Sequence, residues 1–556
     1  MIAFLAILFL CFLFLGYFFY ARKIERIFST KNHHPTPAHQ VNDGQDFVPT
    51  KPFYLLGQHF SAIAAAGPIA GPIIACQVFG WLPCILWVGL GVIFIGAVHD
   101  FSSLIASVRH GARSVAEIVK ENIGSRAYLA MMVFIWIALI YVITAFTDIT
   151  AGTFTGITEE FQGGDFSFNP GGAVAAASVM YLALSILMGV LQKKWNPPLW
   201  LLTLIFVPAT LVSVWMGTQV STWLILSQQT WGVWILVYCF IASLLPVWLL
   251  LQPRGYLGGF ILYMALAVGV IGIFFGGFQV QQPAFKGWTG PGMTDSLFPF
   301  LFVTIACGAC SGFHGLVCSG TTSKQIEKES HCRAVGYGGM LLEAFVALIA
   351  LATVMIVSQS GQLPGPGKIY GNGMGMFLTV LIGEKHMLFA VTFGAMAFST
   401  FVFDTLDVAT RLGRYILQEL LNWTGPAGAA AATGLTVGIP LVLLATSEAG
   451  SYRQFWTLFG TSNQLLAGLT LLGLTVWMKK TGRNFWITLV PMVFVMVITV
   501  WSLAIQARLA FMSFSGFNID LMNGVSALVL MSITALLIYD SLTTLRGTPW
   551  QEKKSA

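Results

Sequence analysis

Apolar residues run along this chain in unbroken blocks of about twenty, with Met1–Tyr20 and Leu199–Met216 as examples. Twenty residues at helical rise reach across the roughly 30 Å hydrocarbon core of a bilayer. A strand-built barrel would instead show alternating segments of about ten residues. Lipid offers no partner to a backbone N–H or C=O, so the block pattern predicts helices that satisfy themselves. The expected spans are 1–20, 57–79, 82–107, 128–152, 173–191, 199–218, 231–251, 257–278, 297–318, 336–358, 387–409, 425–445, 455–478, 485–506 and 522–542. Between them no segment is long enough for an enzyme domain. The longest, Ile24–Leu56, contains a polar, Pro-bearing stretch, Lys31–Asn42, that reads as flexible. Glu159, Glu160 and Asp165 mark one outer loop, and Gly-rich Gly361–Gly375 marks another.

Composition sharpens this picture. The chain is 56% hydrophobic and 9% charged, against about 25% charged in soluble domains. A fold in water would expose too much apolar surface at that composition. The net charge of +6 sits in short clusters at block ends, which excludes a nucleic-acid partner and sets orientation instead. With the N-terminus outside and the C-terminus inside, only Lys286, Lys368, Lys385, Arg453 and Arg508 of the 28 basic residues fall outside. The first block has no charge before its apolar core and no small-residue cleavage site, so a retained helix is expected. Cys11, Cys76, Cys239, Cys307 and Cys310 lie within blocks, where cysteine packs as a small hydrophobe. Cys307-x-x-Cys310 has no second pair at zinc-site spacing, so no metal is expected there.

Two blocks carry breaks. The second contains Ala66-Gly67-Pro68-Ile69-Ala70-Gly71-Pro72, where each Pro removes a donor and each Gly a stiffening side chain. This predicts an unwound segment with open space at Gly71, or else a kink for close packing. The ninth contains Cys307-Gly308-Ala309-Cys310-Ser311-Gly312-Phe313-His314-Gly315. These blocks run in opposite directions about 240 residues apart, the mark of an inverted-repeat carrier with its site at mid-membrane. Gly67, Pro68, Gly71 and Pro72 would face Gly308, Ser311, Gly312 and His314. Asn463 and Gln464 in the thirteenth block would touch substrate or bond helix to helix.

Ionisable residues inside spans are costly and point to function. His59, Asp100, Asp148, Glu343, Asp404 and Asp407 are such residues. Thr400, Asp404, Asp407, Arg411 and Arg414 share one helix face, as an anchoring ladder or a coupling site. Arg411, one turn from Asp407, would pair with it and leave Asp404 to carry a proton. His59 and His314 belong to the residue type that would titrate in the working range, and they have no ligand partner at recognisable spacing. A sodium ion would need several oxygens at once, from Thr400, Thr405, Thr410 and freed carbonyls, so a proton is favoured with sodium as the alternative. No organic cofactor is expected, and the absence of HExxH and GxSxG argues against an enzyme.

Five stretches resemble the carbon starvation protein A family: Asp43–Pro72, Gly96–Glu117, Phe298–Lys324, Asp404–Gln418 and Leu458–Ala467. Together with the fifteen expected spans, the resemblance implies an all-α polytopic membrane protein of about 15 transmembrane helices with a five-plus-five inverted-repeat core. It implies uptake of a peptide or pyruvate across the cytoplasmic membrane, driven by an ion gradient. The chain departs from the family pattern at Gln58, where a second His is usual, which weakens a paired-His proton shuttle. It departs also at Ala65-Ala66-Gly67, usually Gly-Ala-Gly, and at Cys310, usually a larger aliphatic.

The expected layout is a peripheral helix at 1–20, an inner loop at 21–56 and a first core repeat at 57–218. Peripheral helices and linker follow at 219–296, then the inverted repeat at 297–478 and peripheral helices with an inner tail at 479–556. The coupling residues would be His59, Asp100, Glu343, Thr400, Asp404 and Asp407, and the partners a small-molecule substrate and membrane lipid. A nutrient sensor without net transport is the competing class; a sensor often adds a soluble output domain. Reporter fusions after Ser330 and at the C-terminus are expected on the inner side, and one after Asp165 on the outer side. A C-terminus found outside would break the fifteen-span count.

Overall fold

The computed structural model describes residues 1–30, 32, 34–44, 46–156, 159–160, 167–290, 296–358, 364–448, 450–512 and 519–547. In chain order the principal helices are α1 (Ile2–Phe28), α2 (Pro52–Ile63), α3 (Gly67–Phe79), α4 (Trp81–Arg109), α5 (Ser125–Thr153), α6 (Pro170–Trp195), α7 (Leu199–Gln219), α8 (Gln228–Leu244) and α9 (Leu251–Phe275). They continue as α10 (Leu297–Thr304), α11 (Gly312–Gly320), α12 (Arg333–Ile356), α13 (Pro366–Ile382), α14 (Met387–Leu421), α15 (Gly425–Ala445), α16 (Tyr452–Lys480), α17 (Trp486–Met512) and α18 (Ile519–Arg546).

Eleven of these are long and apolar enough to cross a membrane: α1, α4 to α7, α9, α12, α14, α15, α17 and α18. The bent pair α2–α3 makes twelve when counted as one span. This is a multi-pass membrane protein. The remaining expected spans fall on α8, which has 17 residues, on the divided pair α10 and α11, and on α16, which carries a polar stretch through Asn463 and Gln464.

Depth within the bundle follows the side chains. The most apolar stretch of α12 is 89% buried and that of α5 78%, whereas α1, α7 and α18 reach only 28%. The first two therefore form the centre, and the last three present Phe4, Phe19, Trp215 and Tyr539 to lipid.

The Gly-rich stretch expected as an outer loop is mostly helix. Residues 361–363 lie outside the described residues, but Pro366 opens α13. Its glycines make a packing face: a Cβ on Gly371 would stand 2.8 Å from Ala395 Cβ, and one on Gly375 2.6 Å from a Val391 methyl. Small residues of this kind let two membrane helices touch backbone to backbone. Asp165 lies outside the described residues, and Glu159–Glu160 pair antiparallel with Ser167–Phe168.

The polar stretch expected to be flexible is tied down. Thr36 Oγ1 donates to the Ile326 carbonyl at 2.5 Å, and Asn32 Oδ1 accepts from the Ser330 amide at 3.1 Å. Pro37–Val41 forms a short helix. The stretch is thus a strap across the 321–332 connection that follows α11.

Both expected helix breaks exist, though the first is displaced. α2 and α3 meet at 48° across Ala64–Ala66, and Gly67–Pro72 is helical. The reason is local. Pro68 stands in the first turn of α3, where its missing N–H has no intrahelical partner to lose. The second break is Ile305–Ser311, between α10 and α11, so Gly308 and Ser311 lie in it while Gly312 and His314 lie in the first turn of α11.

Unwinding frees carbonyls, and lipid cannot satisfy them. The Thr304 carbonyl accepts from the Trp456 indole at 3.1 Å, that of Ile305 from the Trp87 indole at 3.1 Å, and that of Phe302 from Gln464 Nε2 at 3.2 Å. A π turn also widens both α4, at Val92–Gly96, and α12, at Arg333–Tyr337. The Tyr337 hydroxyl donates to the Ile93 carbonyl at 2.9 Å and links the two.

The breaks cross face to face without a gap. A Cβ on Gly67 would overlap Cys307 Sγ, and one on Gly71 would stand 2.7 Å from the Thr304 oxygen. Pro72 is buried within α3. Gly71 therefore fills a contact and does not line open space, which corrects the expectation above. Gly71→Leu is expected to lower the melting temperature and yield, at an overpacking cost of about 1–3 kcal/mol. A Gly71→Leu protein with wild-type melting in detergent and no uptake would restore the open-site reading.

Candidate functional site

Three helices deliver charge to one buried point. α4 supplies His99 and Asp100, α11 supplies His314, and α12 supplies Glu343; none is more than 1% exposed. His314 bridges two carboxylates: Nδ1 lies 2.9 Å from Asp100 Oδ2, and Nε2 lies 3.0 Å from Glu343 Oε2. The second is an ion-pair contact without good hydrogen-bond direction, which leaves both Glu343 oxygens short of a donor among the described residues. His99 Nδ1 meets Asp100 Oδ1 at 2.7 Å.

Glycines allow this convergence. A Cβ on Gly315 would stand 3.3 Å from the His99 ring, and one on Gly336 3.2 Å from the Asp100 carbonyl. His59 on α2 joins from below the first break, with Nδ1 2.9 Å from Thr322 Oγ1 and its ring against Gly339. Nε2 of His59 and of His99 are buried without a partner among the described residues.

The arrangement can count protons. An imidazolium at His314 donates from both nitrogens, one to each carboxylate. A neutral His314 keeps only one N–H, so the other contact requires a protonated carboxyl. Both of these states hold the same protons and carry a net charge of −1; one further proton, on a carboxyl beside the imidazolium, brings the group to 0. In a buried site such a change alters how strongly α4, α11 and α12 hold together.

Asn463 and Gln464 lie beside this group on α16. Asn463 Oδ1 accepts from the Phe313 amide at 3.0 Å and from Ser311 Oγ at 3.4 Å. Its Nδ2 donates to Ser311 Oγ at 3.1 Å and to Cys307 Sγ at 3.2 Å. The side chain thus caps the N-terminus of α11 from another helix, at the end whose dipole is positive. Gln464 Oε1 is buried with no partner among the described residues. Gly308 packs against Ala347 and lies close to Pro68, and Gly312 is wedged against Asn463 and Ala467. All eight cysteines are free, and Cys307 acts as a hydrogen-bond acceptor.

The α14 residues form a separate cluster, and here the expected pairing is wrong. Arg411 does not pair with Asp407; its Nη2 donates to the carbonyls of Ala242 and Leu245, each at 2.9 Å, and closes the end of α8. Arg254, in the first turn of α9, instead lies 2.6 Å from Asp404 and 3.0 Å from Asp407. The Tyr238 hydroxyl donates to Asp407 at 2.9 Å, and the Tyr181 hydroxyl donates to the Arg254 carbonyl at 2.7 Å. Asp404 is therefore not left free as a proton carrier. Thr400 is buried beside this cluster, with its hydroxyl unpartnered among the described residues.

Two of these residues escaped the sequence reading. Arg254 falls between the expected spans 231–251 and 257–278, although Leu249, Leu250, Tyr256 and Leu257 flank it, which is the signal of a buried cation. His99, next to Asp100, likewise stands inside an apolar block.

Comparison with known proteins gives a match to the family model described as carbon starvation protein CstA, over residues 1–364 and 361–502. A peptide transporter CstA of Mycobacterium tuberculosis (strain ATCC 25618 / H37Rv) is 33% identical, covering 86% of this chain and 71% of that protein. The pyruvate/proton symporter BtsT of Escherichia coli (strain K12) is 31% identical, covering 87% of this chain and 78% of that protein. A peptide transporter CstA of Bacillus subtilis (strain 168) is 29% identical, covering 95% and 94%. Among solved structures, a manganese transporter mutant of Eremococcus coleocola aligns with a TM-score of 0.46 and 14% identity, over 91% of this chain and 99% of that one.

The α14 cluster makes a direct prediction. Arg254→Gln leaves two carboxylates facing each other without a cation, at a cost of about 3–5 kcal/mol by analogy with other broken buried pairs. Its melting temperature is expected to fall well below that of wild type, and adding Asp407→Asn should recover part of the loss. Wild-type melting in Arg254→Gln would remove the triad as a structural anchor.

Proposed function

The chain belongs to the carbon starvation protein CstA family, and from that premise we propose that it takes up a peptide or pyruvate by proton symport with alternating access. The observation that carries the proton assignment is the buried bridge of Asp100, His314 and Glu343 across α4, α11 and α12.

A repeated order of elements supports the inverted-repeat reading. A divided helix, α2–α3, is followed by α4 with its π turn, a short helix Val115–Asn122 and the long α5. A second divided helix, α10–α11, is followed by α12 with its π turn, the short α13 and the long α14. The repeats are assigned as 57–218 and 297–478, with 1–20, 219–296 and 479–556 peripheral. The membrane is the cytoplasmic one, with the N-terminus outside and the C-terminus inside.

Both substrate classes carry a carboxylate, and the N-terminus of a divided helix suits one. Ser311, Asn463 and Gln464 supply the polar groups at that end of α11. His314 stands in the same first turn. A carboxylate arriving at Ser311 displaces the Asn463 cap, while a proton arriving at His314 or Glu343 changes the hold of α11 on α4 and α12. Substrate and proton thus act on one half-helix, which is a physical basis for coupling them. His59 extends the group toward Thr322.

The test is uptake into proteoliposomes of labelled pyruvate, with di- and tripeptides as competitors, under an imposed proton gradient. Glu343→Gln is expected to lose gradient-driven accumulation while keeping exchange of bound substrate. Accumulation that follows sodium and ignores a collapsed proton gradient would reverse the ion assignment. Binding without any uptake would make the protein a sensor.

A further inference from the structure

A polar cavity of about 340 Å³ opens where α1, α4 and α16 end. Its walls come from distant parts of the chain: the strap with His34, Thr36 and Gln40, the end of α4 with Arg109, Glu329, and Arg483 between α16 and α17. It lies away from the site described above.

The charges here do not balance. Arg109 binds Glu329 in a two-pronged contact, with Nε and Nη2 both at 2.9 Å from carboxylate oxygens. Arg109 Nη2 also donates to the Phe28 carbonyl at 2.8 Å, while Nη1 is buried without a partner among the described residues. Arg483 has no carboxylate within ion-pair distance among the described residues; its Nη1 donates to Thr481 Oγ1 at 3.1 Å and its guanidinium lies over the Trp477 ring. Two guanidiniums thus share one carboxylate. Burial, and then the like charge of Arg109, hold the Arg483 guanidinium below the usual arginine range. A guanidinium fork offers paired N–H donors at the spacing of phosphate oxygens.

We propose that this cavity binds a phosphate-class oxyanion between Arg483 and Arg109, and that the bound anion fastens the strap to the ends of α4 and α16. The anion supplies the missing negative charge and acceptors for the face of Arg483. Because the strap also holds the 321–332 connection through Thr36 and Asn32, occupancy links the N-terminal strap, α4 and the α11–α12 connection into one unit. The phosphate group could belong to a free ion or to a lipid headgroup, and these sources are separable.

The experiment is thermal melting of the full chain in detergent, titrated with inorganic phosphate against sodium chloride at matched ionic strength. A saturable rise in melting temperature is expected with phosphate. Arg483→Gln, which should melt like wild type in chloride, is expected to weaken the apparent phosphate affinity about tenfold, the scale of one charge-assisted bond. Arg483→Lys keeps the charge but loses the fork and should weaken it in the same direction. If free phosphate gives no rise in detergent, nanodiscs of phosphatidylglycerol and of phosphatidylcholine decide the source. A higher melting temperature in phosphatidylglycerol that Arg483→Gln removes assigns the site to a lipid headgroup. Equal responses to phosphate and chloride with no phosphatidylglycerol effect, or a response unchanged in Arg483→Gln, would overturn the site.

Discussion

Everything at the centre of this protein answers one requirement: a backbone carbonyl freed inside a bilayer must find a donor in protein. The break at Ile305–Ser311 raises the demand, and Trp87, Trp456 and Gln464 meet it from α4 and α16. Those donors fix where the flanking helices cross. The crossing in turn demands residues without side chains at Gly67, Gly71, Gly308 and Gly312, since each would otherwise collide with a neighbour. The glycines are therefore consequences of the break as much as causes of it.

The same geometry explains why charge can be buried here. A lone carboxylate in such a place is prohibitively costly, and one paired through a bridging imidazole is not. His314 can reach Asp100 and Glu343 together because α11 restarts at Gly312 and turns the imidazole between α4 and α12. The α14 cluster solves the problem differently, with one permanent cation for two aspartates. Arg254 cannot release its proton in the working range, so the cation of that cluster is permanent. The bridge of Asp100, His314 and Glu343 has groups on both sides that can exchange a proton.

Periphery and centre also differ in what holds them. α1, α7 and α18 meet lipid along most of their length, and hydrophobicity alone places them there. α5 and α12 sit inside because small residues and hydrogen-bonding side chains give their neighbours something to pack against. The face of α13 on α14 belongs to the same class. Its Gly-rich sequence reads like a loop because composition alone does not distinguish a flexible backbone from a closely packed one.

Membrane residence, helical class and the two broken segments were all legible in the chain, because block length and Gly or Pro content act locally. So was the family, through long matching stretches. The ionisable residues Asp100, His314 and Glu343 were visible one by one, since any charge in an apolar block stands out. Their meeting was not, because Asp100 lies over two hundred positions from His314 and Glu343 and becomes their neighbour only when three helices cross. The sequence also misplaced the first unwound stretch by a few residues, as a proline in a first turn starts a helix and inside one disturbs it. It paired Asp407 with Arg411 by helical spacing, but the tertiary fold offered Arg411 the open carbonyls of α8 and brought Arg254 in from another helix. Spacing along one helix measures what can meet within that helix; which partner wins is decided by what the other helices bring.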